Sequence, residues 1–215
     1  MKTTFTFLST IMVLLMVSSC NQPEKIELFN GKDLSNWTKT VKDENVDKDT
    51  VFWVEDGVIQ VSGKPNGYIR TNEKYSNYKL HVEWRWAAEP KNSGILFHFE
   101  GEDKVWPSTI ECQLHHGDAG DLILIDGEAV INGVKYPVMD GERKQRAHKK
   151  FEESSEKPVG EWNSADITCD GNTFEFVINR VLQMKGTEAS KSMGNICLQS
   201  EGGPIQFRNV YLELL

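Results

Sequence analysis

The densest run of side chains able to do chemistry lies in residues 92–121. If residues 110–115 are extended, Glu111, Gln113 and His115 project from one face and Ile110, Cys112 and Leu114 from the other, because strand side chains alternate with period two. Same-face neighbours then stand about 7 Å apart. A carboxylate and an amide at that spacing can hold adjacent hydroxyls, or one can move a proton while the other orients the ligand. Such a polar face is costly on a sheet unless it lines a wet groove. Glu111, Gln113 and His115 are therefore the catalytic candidates. His116, Asp118 and Asp121 come directly after them. His115, His116 and Asp118 are candidate ligands for a divalent metal ion, the one cofactor left open. Their spacing matches no specific metal motif, and turn formation by itself accounts for Asp118 and Asp121.

Other polar stripes are candidates for the same groove. Residues 78–86 alternate, with Leu80, Val82, Trp84 and Trp86 on one face and His81, Glu83 and Arg85 on the other. That second stripe reads either as a cross-strand charge network or as groove wall. Asn92 and Ser93 stand at a strand entrance, where Gly94 permits close backbone approach. In residues 95–100, Ile95, Phe97 and Phe99 share a face; Leu96, His98 and Glu100 share the opposite one, so His98 is either packed or at the groove. Gln199 and Glu201 share a face before a Gly-Gly-Pro and are placed at the rim, and Arg208 is the cation candidate near the C-terminus. The substrate-binding candidates are thus Glu83, Arg85, Asn92, Ser93, His98, Gln199, Glu201 and Arg208.

The elements that would position these residues are strands. Runs of four to nine residues alternate or are wholly apolar, and Asp-Gly or Asn-Gly pairs separate several of them, as at Asp56-Gly57 and Asp170-Gly171. No amphipathic helical run of useful length occurs. The pattern predicts an all-β sandwich or barrel. Residues 141–160 are polar and of mixed charge, and are expected to form a solvated excursion, either a mobile loop or lid or a short surface helix.

The N-terminus reads as an export leader. Lys2, an apolar-rich stretch over residues 5–17 and then Ser18-Ser19-Cys20 form a charged start, an apolar middle and a small-residue end, too short to span a bilayer. The ending resembles a bacterial lipobox with Cys20 as the lipid-modified residue. The expected organisation is a leader over 1–19, a tether over 20–25 and one domain over 26–215. The expected location is the cell envelope, lipid-anchored at the periplasm or outer-membrane surface, with the lipid as the only membrane contact. Removal of residues 1–19 leaves 196 residues with 23 basic and 32 acidic side chains, a net charge of −9. No basic patch interleaved with aromatics is present, which argues against a nucleic-acid partner. Cys112, Cys169 and Cys197 are an odd set in apolar runs and read as buried thiols rather than a disulfide framework.

Several marks in order carry a family resemblance. They are Leu28-Phe29-Asn30-Gly31-Lys32-Asp33-Leu34 with Trp37, Trp53-Val54-Glu55-Asp56-Gly57-Val58, Asn77-Tyr78-Lys79-Leu80 with Glu83-Trp84-Arg85, and Asn92-Ser93-Gly94. Glu111-Cys112-Gln113, Gly160-Glu161-Trp162-Asn163, Leu198-Gln199 and the tail over residues 202–210 complete the set. The chain resembles the 3-keto-disaccharide hydrolase family. The resemblance implies a concanavalin A-like jelly roll of two curved antiparallel sheets. It implies action on glycosides already oxidised at C3, by C2 proton abstraction and elimination, with or without water addition. The partner would be a 3-keto-glycoside or another small saccharide. A non-catalytic carbohydrate-binding module of an exported lipoprotein is the alternative. The strand also resembles a laminarinase-type Glu, Asp, Glu spacing, but here those positions hold Glu111, Gln113 and His116, so two of the three carboxylates are missing.

Overall fold

A computed structural model describes residues 24–140 and 143–215. The leader and Cys20 lie outside the described residues. The chain runs through β1 (Lys25–Glu27), β2 (Trp37–Val41), β3 (Phe52–Glu55), β4 (Val58–Val61), β5 (Gly67–Thr71) and β6 (Tyr78–Trp86). It continues through β7 (Gly94–Glu100), β8 (Ser108–Gln113), β9 (Leu122–Ile125), β10 (Ala129–Ile131), β11 (Val134–Tyr136), β12 (Val138–Asp140), β13 (Arg143–Gln145) and β14 (Ala147–His148). The last five strands are β15 (Asn163–Asp170), β16 (Thr173–Ile178), β17 (Val181–Gly186), β18 (Asn195–Ser200) and β19 (Ile205–Leu214). Lys25 already pairs with Glu213, so the folded domain begins inside the expected tether.

Two large antiparallel sheets form a jelly-roll-like sandwich. The first has the order β17-β16-β15-β6-β19-β4-β3, with β1 added on β19. The second has the order β14-β9-β8-β7-β18-β5-β2. Alternation decides which residues fill the space between them. On β6, Tyr78, Leu80, Val82, Trp84 and Trp86 are buried, while His81, Glu83 and Arg85 face outward. Aromatic contacts tie the layers: Phe97 of the second sheet meets Phe174 and Phe176 of the first at ring separations of 6.0 and 5.6 Å. Asp56 and Gly57 both have positive φ (51° and 74°), the left-handed pair that a two-residue hairpin between β3 and β4 needs.

The excursion departs from the expectation for residues 141–160. It forms neither a helix nor a free loop over its described part. β14 pairs with β9, and the chain after it is strapped across the sandwich. The Phe151 amide donates to the Gln183 carbonyl at 2.8 Å, Ser155 Oγ to the Ile178 carbonyl at 2.8 Å, and the Lys157 amide to Asn163 Oδ1 at 2.8 Å. Charge patterning reports that side chains are solvated; it is silent on whether the backbone is paired.

His98, a candidate for the groove, is packed in the interior instead. The β7–β8 pairing shifts register between Phe97 and Glu100, and His98 takes φ 54°. This bulge breaks the alternation. His98 is 1% exposed, with its ring 5.8 Å from that of Tyr78 and Nδ1 3.1 Å from the Lys191 carbonyl. Burial holds its pKa below the usual histidine value. Phe99, freed from the face of Ile95, instead joins Tyr68, Leu96 and Cys197 in a small apolar cluster.

Candidate active site

The outer face of the second sheet can be built from its register. One row runs Arg70, Cys197, Leu96, Glu111, Ile123, Ala147 across β5, β18, β7, β8, β9 and β14. Two residues along, Tyr68 stands opposite Gln199 and Gly94 opposite Gln113, whose backbone amide donates to the Asp121 carbonyl at 2.9 Å. Beyond these, Asn92 bridges to Glu201. Glu111, Gln113, Gln199, Glu201 and Asn92 are thus brought together from three strands and their flanks. β8 ends at Gln113, but Leu114 remains in the core and His115 stays on the groove side.

Gly94 makes room for the Glu111 carboxyl. A Cβ at Gly94 would collide with Glu111 Oε1, so glycine here is a matter of space rather than backbone angle. Glu111 is 3% exposed, and its Oε1 has no hydrogen-bond partner among the described residues. Leu96 and Ile123 flank it in the row, which explains the loss of solvation. Burial, reinforced by the neighbouring charge of Glu201 and opposed by Arg146, pushes Glu111 up to about 8. Burial also raises Glu201, against the pull of His115. The side-chain amide oxygens of Gln199 and Asn92 are buried and, among the described residues, without partners as well. The face therefore offers three buried oxygens that lack donors. A ligand that supplies hydroxyl hydrogens would satisfy them, whereas an anion would not.

Beside Glu111 lies a cavity of about 360 Å³ whose lining includes Gln113, His115, Asp118, Ile123 and Lys149. The expected metal ligands do not converge in it. His115 Nδ1 stands 3.2 Å from Asp118 Oδ2, but Asp118 also meets Lys149 at 3.1 Å and Lys150 at 3.4 Å. His116 turns to Glu156, with Nδ1 3.0 Å from Oε1. Two ammonium groups on the shared carboxylate and a diverted imidazole do not fit a divalent ion.

Three expected groove residues belong elsewhere. Glu83, Arg85 and Arg208 lie on the outer face of the first sheet, with the whole core between them and Glu111. Arg208 Nε bonds Glu83 Oε2 at 2.6 Å, and the Arg208 and Arg85 guanidiniums stand 4.0 and 4.6 Å from the Trp162 ring centre. Ser93 is fully buried; its hydroxyl donates to the Gln199 backbone carbonyl at 2.8 Å, so it positions the site rather than meeting a ligand.

The chain matches the 3-keto-alpha-glucoside-1,2-lyase-like domain over residues 24–213. It belongs to that family. Among solved structures, a candidate glycosyl hydrolase from Parabacteroides distasonis has a TM-score of 0.64 at 23% identity, covering 89% of this chain and 94% of that one. A Bacillus licheniformis β-glucanase has a TM-score of 0.57 at 13% identity, covering 91% and 98%. The carbohydrate-binding module CBM66 of Bacillus subtilis has a TM-score of 0.55 at 12% identity, covering 83% and 95%. These likenesses share the fold. No curated protein matches the sequence.

Within this lyase-like domain, the structure adds residues that the strand pattern missed. Arg146 acts on Glu111, Lys149 and Lys150 neutralise Asp118 and Asp121, and Glu156 accepts from His116, the Gly117 amide and Trp86 Nε1. All come from the charged segment. Its density of Arg and Lys close in sequence to the end of β13 was the available signal, but nothing local said which strand it would cross.

Proposed function

We propose that the Glu111 site cleaves 3-keto-glycosides. The observation that carries this reading is a buried carboxyl with an unpartnered oxygen, lifted to about 8, on a sheet face otherwise furnished for hydroxyl groups. A ketone at C3 acidifies the hydrogen on C2. Glu111, when ionised, takes that proton, and the electron pair moves onto the C3 oxygen as an enolate. A carboxylate raised toward 8 is a stronger base than an ordinary one and is half ionised near pH 8. The Gln113 amide, His115 and Arg146 are the donors and positive groups on this side for the enolate oxygen. As the enolate collapses, C1 and C2 form a double bond and the C1–O bond breaks. The aglycone oxygen departs with the bonding pair and takes the proton from Glu111, which restores the base. Addition of water, with hydroxyl at C1 and hydrogen at C2, completes a net hydrolysis; without it the reaction is a lyase.

The test is NMR of a 3-keto-β-glucoside in D₂O with the wild type and Glu111→Gln. The expected result is deuterium at C2 and aglycone release with wild type, and binding without exchange in the variant. Undiminished exchange in Glu111→Gln would reject the assignment. The second reading, a non-catalytic saccharide module, draws on the unpartnered oxygens of Gln199 and Asn92, which suit hydroxyls whether or not a bond is broken. Saturable binding of several keto-sugars with no exchange in wild type would favour it. The leader supports a further proposal, export with lipid on Cys20. Palmitate labelling should mark the wild type and not Cys20→Ser, and equal labelling of both would refute it.

A further inference from the structure

The outer face of the first sheet carries a cavity of about 650 Å³, inside the span of about 300–1,000 Å³ usual for small-molecule sites. On a chain of net charge −8, its lining has three cations, Lys157, Arg180 and Arg208, against two carboxylates, Glu83 and Asp166. The acceptors are largely used. Glu83 receives Arg208 Nε at 2.6 Å and Asn209 Nδ2 at 2.8 Å, and Asp166 Oδ1 faces His81 Nδ1 at 2.6 Å. That hydrogen bond, donated by His81 to Asp166, draws the His81 pKa upward against the effect of burial and adds positive character.

Lys157 Nζ is already spent on the Trp162 carbonyl at 2.6 Å, but the two guanidiniums keep most of their donors. Arg208 gives only Nε to Glu83, and Arg180 makes no hydrogen bond or ion pair among the described residues. Trp162 lies over the Arg208 guanidinium at 4.0 Å and so fixes the orientation of that long side chain before any ligand arrives. Arg180 sits at φ 71° in the Asn179-Arg180 turn between β16 and β17, a position that favours glycine or asparagine. The turn holds an arginine at the cavity edge despite that preference. Surplus donors select a ligand that accepts hydrogen bonds and carries negative charge. The volume is several times that of a bare oxyanion, and the two carboxylates in the wall repel a densely charged ligand. Asp166 is still half-exposed, and its second oxygen, with the Ser164 hydroxyl, can take sugar hydroxyls.

We propose that this cavity binds an acidic saccharide, with its carboxylate held by Arg208 and Arg180 and its hydroxyls by Asp166 and Ser164. The site is independent of Glu111, which lies across the sandwich. It would hold an anionic glycan while the opposite face acts on its own ligand.

The experiment is calorimetric titration of the full chain with trigalacturonate, with the neutral trisaccharide maltotriose and with sodium sulfate. Trigalacturonate should saturate the protein and weaken as salt rises. Maltotriose should bind at least about tenfold more weakly, and Arg208→Gln and Arg180→Gln should each weaken trigalacturonate by about tenfold. Arg180 has no partner among the described residues, so its substitution tests the site without disturbing an ion pair. Glu111→Gln should leave trigalacturonate binding unchanged. No saturation up to about 10 mM, equal binding of maltotriose, unchanged binding in Arg180→Gln or lost binding in Glu111→Gln would each overturn the proposal. Sulfate competing as tightly as trigalacturonate would reduce the cavity to a simple anion site and reject the saccharide.

Discussion

The outer faces of the two sheets hold similar residue types in opposite electrostatic states. On the first sheet, Glu83 is met by Arg208 and Asn209. Burial pushes Glu83 up, but those hydrogen bonds outweigh it and hold the carboxyl below its ordinary value. On the second sheet, Glu111 has no such partner among the described residues and burial lifts it to about 8. A paired carboxylate is a fixed structural charge. An unpaired, desolvated one is a proton store that changes state near neutral pH. The chemistry of a glutamate here is set by which strand lies beside it, not by its own strand's pattern.

Turnover separates the two faces most sharply. Glu111→Gln should lower the rate of C2 exchange by about 10²–10⁴-fold, while Arg85→Gln, on the other sheet, should change it by less than about twofold. Comparable losses in both would dissolve the distinction. Next, Gly94→Ala places a methyl group against the Glu111 carboxyl and should displace it. A displacement near 1 Å predicts a loss of about 10²-fold in turnover. A crystal structure of the variant would show whether the carboxyl has moved.

Stability against pH gives the third contrast. Between the unfolded value of 4.5 and the folded value of about 8, Glu111 is ionised when unfolded but protonated when folded. The folded state then binds more protons, so this group lowers stability as pH rises through that window, by about 1.4 kcal/mol per pH unit. Urea titrations at pH 5, 6 and 7 should show a shallower fall in Glu111→Gln than in wild type. Glu83 has the opposite sign: its contribution is present above 4.5 and is lost as pH falls through its lowered folded pKa. Glu201 gives the weakest contrast. Its charge raises Glu111, so Glu201→Gln should move the rising limb of the kcat/KM profile to lower pH. A limb that stays in place would show that burial acts on Glu111 without help from Glu201.

Much of the fold was legible in the chain. The β6 alternation placed Trp84 inward and Glu83 outward, and the Asp56-Gly57 pair marked a hairpin. Asn132-Gly133, both at positive φ, likewise turns the chain between β10 and β11. Of the candidate site, the grouping of Glu111, Gln113 and His115 on one side could be read from period two. The buried state of His98 could not, because a single bulge reverses the parity of every later residue in its strand. Nor could the sequence show that Asp118 would be claimed by Lys149 and Lys150, some 30 residues on.

By itself the sequence determined that the chain would form many short strands, and which residues of each strand would share a face. That information is local, because it comes from the geometry of an extended backbone. Only the tertiary structure decided which faces look onto the same space. The stripes of β6 and β8 are both polar and outward, yet their strands belong to different sheets, so Glu83 and Arg208 point away from Glu111. Sheet membership depends on contacts between residues distant in the chain, and burial depends on sheet membership. The proton affinity of Glu111 is therefore a property of Leu96, Ile123, Glu201 and Arg146 as much as of the residue itself.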